Sequence, residues 1–113
     1  MRWPKRTVGA GVLLALAGCM TVEQMAPFVG PAFSTPTISG EPLAVLERGR
    51  ELYVTDCTRC HSPEPVNRYT VTHWNDIIRR MAPESKLNES DTSALRAYVL
   101  AAHRVMSQPS GGG

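Results

Sequence analysis

Little in this 113-residue chain alternates apolar and polar residues over a strand's length, and no apolar run reaches the eighteen or so residues that mark a bilayer-spanning helix. The first lack leaves an all-α fold. The second excludes a permanent transmembrane helix and leaves shorter apolar stretches to be explained otherwise. A surplus of charge is also lacking. Three of the 12 basic residues, Arg2, Lys5 and Arg6, sit at the extreme N-terminus, and the remainder holds nine basic residues against 10 acidic ones. A nucleic-acid partner therefore has no electrostatic support. No grouping suggests a nucleophile or general base, which speaks against an enzyme. Cysteine is scarce too, with three in the chain, and each has to be accounted for.

Cys19 is accounted for by what precedes it. Arg2, Lys5 and Arg6 form a positive stretch, residues 7 to 18 (TVGAGVLLALAG) an uncharged, largely apolar one, and the run ends in Leu16-Ala17-Gly18-Cys19. This resembles the lipobox of bacterial lipoprotein signal peptides, which implies cleavage after residue 18 and acylation of Cys19. Two or three acyl chains hold a protein to a membrane stably, where one binds only marginally. The resemblance implies the periplasmic side of a bacterial membrane. The lack of an aspartate after Cys19 points weakly to the outer membrane.

The remaining pair stands in Cys57-Thr58-Arg59-Cys60-His61, a C-x-x-C-H. Two thiols at this spacing can each form a thioether with a haem vinyl group, and the adjacent histidine then lies under the iron. A redox dithiol would want a strand-then-helix context that is missing here. A zinc site would need two further ligands, for which only the scattered His73 and His103 offer themselves. The motif thus predicts one covalent haem c, held by Cys57 and Cys60 with His61 as the proximal iron ligand. The His61 Nδ1–H needs an acceptor, and the loop from Ser62 to Pro65 is the nearest source of one.

Around the motif the chain divides into four parts. Residues 1 to 18 are the signal segment. Residues 19 to 42 carry four prolines, with glycine, Ser and Thr and no sustained period, and read as a flexible tether; as coil its reach is roughly 25 to 30 Å, and fully extended about 75 Å. Phe28, Val29 and Phe33 leave open that part of it packs on the domain. Residues 43 to 106 form the domain, and residues 107 to 113 a disordered tail. Within the domain three helical patterns stand out: Val45/Leu46, Gly49 and Leu52/Tyr53; then Trp74, Ile77/Ile78 and Met81; then Leu95, Tyr98/Val99 and Ala102. Thr70 or Thr72 suits an N-cap for the second, which Pro83 should stop. Asn88 and Asp91 suit the start of the third. Three helices of this length build little core alone, and a covalent haem would staple them.

With these features the segment from Leu43 to Val105 resembles the small monohaem class I cytochromes c of bacteria. The resemblance implies a three-helix fold around the haem. Gly49 and Tyr53 of the first helix would cross Leu95 and Tyr98 of the last at close range, and Trp74 would pack on the haem edge. Met81 would lie near the position of the distal methionine. One departure is the interval of 20 residues from His61 to Met81, short for that class, which implies a more exposed haem edge and leaves His73 and Met106 as rival distal ligands. Arg68, Arg79 and Arg80 are available to haem propionates but suit a solvated surface equally well. His/Met ligation favours ferrous iron and a high potential. The expected function is single-electron transfer between a redox protein donor and a redox protein acceptor at the membrane. The alternatives are a gas-binding or sensing haem domain with an open distal position, and a haem relay subunit of a dehydrogenase or oxidase complex.

Overall fold

The computed structural model describes residues 20 to 57 and 64 to 109. The signal segment, Cys19, Cys60 and His61 and the last residues of the tail lie outside the described residues. Among those described there is no strand, and the chain is largely helical, as the patterning requires. Four α-helices follow one another: α1 (Val22–Met25), α2 (Leu43–Thr55), α3 (Val71–Glu84) and α4 (Glu89–Ser107). Short 3-10 turns at Pro31–Ser34 and Val66–Arg68 lie between them. No helix of the described residues is long and apolar enough to cross a membrane.

The centre of the fold is the crossing of α2 and α4. Helix α2 buries Leu46, Gly49, Leu52 and Tyr53, one stripe of a 3.6-residue period. Helix α4 answers with Leu95, Tyr98, Val99 and Ala102, and adds Ala94 and Ala101. A Cβ on Gly49 would fall 2.5 Å from Tyr98 Cβ and overlap the Ala94 carbonyl oxygen. Glycine is needed here because two backbones meet, although it costs about 1 kcal/mol in helix propensity. Arg48 ties the pair on its outer side, with Nε and Nη2 on the two Asp91 oxygens at 3.1 and 3.0 Å.

The caps follow from local chemistry. Thr70 Oγ1 accepts from the His73 N–H at 3.2 Å and starts α3; Asn88 Oδ1 accepts from the Asp91 N–H at 2.7 Å and starts α4. Pro83 does not stop α3, which continues to Glu84. A proline so near the end deletes one backbone bond of the last turn, which is little loss where the ladder is about to end. The stop comes from Lys86, in the left-handed region at φ 56°, with the Leu87 N–H returning to the Ala82 carbonyl at 3.0 Å. Helix α4 likewise runs to Ser107, one residue into the expected tail.

The expected flexible tether needs a larger correction. Ala26, Phe33 and Ile38 are each only 1% exposed, part of the same core as the helices. Phe33 stacks on Tyr98 at 6.1 Å between centroids. Tyr98 Oη donates to the Pro27 carbonyl at 2.8 Å, Arg50 Nε to the Ala26 carbonyl at 3.1 Å and Arg104 Nη1 to the Ile38 carbonyl at 2.7 Å. Residues 26 to 38 are thus a strap bound across α2 and α4. Side chains from the helices supply hydrogen-bond donors to a backbone that has no ladder of its own.

Candidate functional site

A cavity of about 670 Å³ opens where the C-terminal end of α2 meets α3 and α4. That volume lies within the range typical of cofactor sites, roughly 300 to 1,000 Å³. Its walls bring together Cys57 just past α2, Tyr53 from α2, Trp74, Ile77, Ile78 and Met81 from α3, and Leu95 and Val99 from α4. Tyr69 and His73 complete one side; Glu64, Arg80 and Glu84 are the charged residues of its lining among the described residues. A mainly apolar cavity with a thiol, a thioether and an imidazole on its wall offers side chains that could hold a cofactor. Cys60 and His61, the other members of the motif, lie outside the described residues.

The amphipathic face of α3 explains how the site forms. Trp74 and Ile78 are buried and Ile77 and Met81 half-buried, so the spacing i, i+3/i+4, i+7 places all four on the inner face. Because α3 continues through Pro83, Met81 sits inside the helix and not at its tip. The indole N–H of Trp74 donates to the Val66 carbonyl at 2.6 Å. Its ring therefore walls the cavity while its polar end is committed to the backbone.

The described residues on both sides of 58 to 63 are held. Before this stretch, the Cys57 N–H bonds the Leu52 carbonyl at 3.3 Å; after it, Tyr53 Oη donates to the Glu64 carbonyl. Burial lifts the Tyr53 phenol well above its ordinary range, so it stays a donor at neutral pH. Burial, with a smaller push from the Asp56 carboxylate, raises the Cys57 thiol to about 11. Reactive redox cysteines show the opposite, a lowered pKa in an electropositive setting. Cys57 thus has the environment of a neutral, half-buried thiol.

The rival iron ligands separate in space. Met81 and His73 both line the cavity; Met106 does not. Met106 packs against the core from the end of α4. His73 is exposed and its ring lies against Tyr69, with centroids 4.5 Å apart. Of the three arginines considered for propionates, Arg68 pairs with Glu64 at 3.4 Å and Arg79 with Asp76 at 2.8 Å. Only Arg80 among them lines the cavity.

Sequence reasoning missed Tyr69 and the continuity of the aromatic packing. His73, Tyr69, Trp74, Tyr53, Tyr98 and Phe33 follow one another with centroid separations from 4.5 to 6.2 Å. This is the range in which aromatic pairs add to their area burial. Tyr69 stands just before the cap of α3, outside any periodic stretch, so no spacing signal marked it. No protein family, no curated protein and no solved structure matches the chain.

Proposed function

We propose that this chain is a lipid-anchored, single-haem c-type electron carrier on the periplasmic side of a bacterial membrane. Cys57 and Cys60 would bond the haem, and His61 and Met81 would ligate its iron. Helices α2, α3 and α4 would then be the first, middle and last helices of a small class I cytochrome c. The observation that carries this reading is that Cys57, the first residue of the C-x-x-C-H, and Met81, far along the chain, wall the same apolar cavity.

Haem bound there would supply a one-electron redox change, the protein's part being ligands, orientation and dielectric. The Met81 thioether would favour the ferrous state and a high potential. Trp74, Ile78, Leu95 and Val99 give the site apolar walls. Arg80 stands where a propionate could be met. Met81 is preferred to His73 because it is half-buried on the inner face of α3, whereas His73 is exposed and packed on Tyr69.

The test is expression with a c-type haem maturation system. Covalent haem, a weak red-edge sulfur-to-iron band in the ferric protein and a ferrous form indifferent to carbon monoxide are expected. Absence of covalent haem overturns the reading. Rapid carbon monoxide binding would replace the closed carrier by a gas-binding domain. Met81→Ala should abolish the red-edge band; an unchanged spectrum transfers the ligand role to His73 or Met106. A stoichiometric complex surviving mild detergent would make the protein a relay subunit instead of a shuttle.

A further inference from the structure

The strap changes how far this domain can stand from a membrane. Ala26 is already 1% exposed and held by Arg50, so only residues 20 to 25 separate Cys19 from the folded body. Part of that short link is itself ordered. Thr21 caps α1 in a reciprocal capping box, its N–H on Gln24 Oε1 at 2.8 Å and its Oγ1 receiving the Gln24 N–H at 3.3 Å. With four residues rising 1.5 Å each and three extended steps, the link spans roughly 16 Å, against about 75 Å for a fully extended tether.

Next to this link lies an outward-facing aromatic residue. Phe28 is 61% exposed although both flanks of it are fixed: Ala26 and Pro27 by hydrogen bonds from Arg50 and Tyr98, and Phe33 by burial. The Arg50 guanidinium lies over the Phe28 ring, 4.1 Å from its centroid. Met20 and Val22, on the link itself, are exposed as well. Apolar side chains beside a guanidinium suit the boundary between acyl chains and phosphate headgroups.

From these observations we infer that the domain is docked on the lipid surface in one orientation, with Phe28 and the apolar residues of the link at the acyl boundary and Arg50 at headgroup level. The inference rests on Cys19 being the acylated residue; it does not depend on the haem. A leash of 24 residues would let the domain roll over the bilayer. A link of six residues that ends in a pinned strap fixes the face turned toward the lipid, and hence the direction in which the cavity points.

The test uses full-length lipidated protein in phosphatidylethanolamine/phosphatidylglycerol vesicles, with a nitroxide on Phe28→Cys or, leaving Phe28 in place, on Val22→Cys. Wild type treated alike gives the background, and the labelled Cys19→Ser forms give the soluble reference. On vesicles, collision with a water-soluble nickel chelate should fall several-fold relative to that reference, while collision with oxygen rises. Co-flotation with nickel access unchanged at both sites overturns docking and leaves the anchor standing. Failure of the Cys19 protein to co-float at all overturns the anchor and docking together. Loss of nickel access without vesicles, growing with protein concentration, would assign the patch to a second copy of the chain and also overturn docking on lipid.

Discussion

Tyr98 Oη donates to the Pro27 carbonyl at 2.8 Å across 71 residues of sequence, and this bond holds the N-terminal strap to the last helix. The Tyr98 ring also stacks on Phe33, so one side chain serves the strap by a hydrogen bond and by packing. Burial holds its phenol above the ordinary range, which keeps it a donor at neutral pH. Tyr98→Phe keeps the ring and strands the carbonyl, at a cost of about 1 to 3 kcal/mol. A lower thermal midpoint and faster chymotryptic cleavage at Phe33 are expected. Unchanged cleavage would show that the strap is held by other contacts.

Gly49→Ala tests the helix crossing. The added methyl would meet the backbone of Ala94 and Cβ of Tyr98, neither of which can swing aside. The helix-propensity gain of about 1 kcal/mol is set against overpacking of roughly 1 to 3 kcal/mol or more, the larger where backbone is struck. Denaturant unfolding should show a lower midpoint with little change of slope. A raised midpoint would mean that α2 and α4 separate without penalty.

Trp74→Phe distinguishes a wall from a ligand contact. The ring remains beside the cavity, but the Val66 carbonyl loses its donor, for about 1 to 3 kcal/mol of stability. Covalent haem content and the red-edge band should be retained. If stability held and haem content fell, the indole N–H would be acting on the cofactor.

Asp91→Asn tests the surface pair between α2 and α4 by pH. The hydrogen bond from Arg48, with its charge, holds the Asp91 carboxyl below its ordinary value, so the folded state favours the ionised form. Its contribution is present above the unfolded carboxylate pKa of about 3.9 and is lost as pH falls through the lowered folded value. The wild type should therefore exceed Asp91→Asn in stability at neutral pH, with the gap closing below about pH 4 and shrinking in high salt. A gap that ignored both pH and salt would assign the effect to something other than charge.

The three main helices were legible in the sequence because each shows its buried face at 3.6-residue spacing and two begin at residues whose side chains can cap. Gly49 was expected at a crossing because the family resemblance implied it, and the close approach of α2 to α4 at that residue is what the structure adds. The strap was not legible. Ala26, Phe33 and Ile38 are buried one at a time with no period between them, and the groups that fix them are backbone carbonyls, which every residue has. Their donors, Arg50, Tyr98 and Arg104, stand 24, 71 and 66 residues away. The end of α3 was misplaced for a related reason. Proline is costly inside a helix, but that cost shrinks in the last turn, and the left-handed Lys86 that ends the helix has no compositional mark.

Local chemistry in the sequence by itself determined the all-α class, the helical faces and the C-x-x-C-H spacing from which haem attachment is proposed, because periodicity, capping and thiol spacing act over a few residues. The tertiary structure alone decided that Cys57, Met81 and Trp74 share one cavity, that the Trp74 N–H is spent on Val66, and that residues 26 to 38 are bound in place. Each of these depends on where two helices cross, which is fixed by the packing of the whole chain and not by any stretch of it.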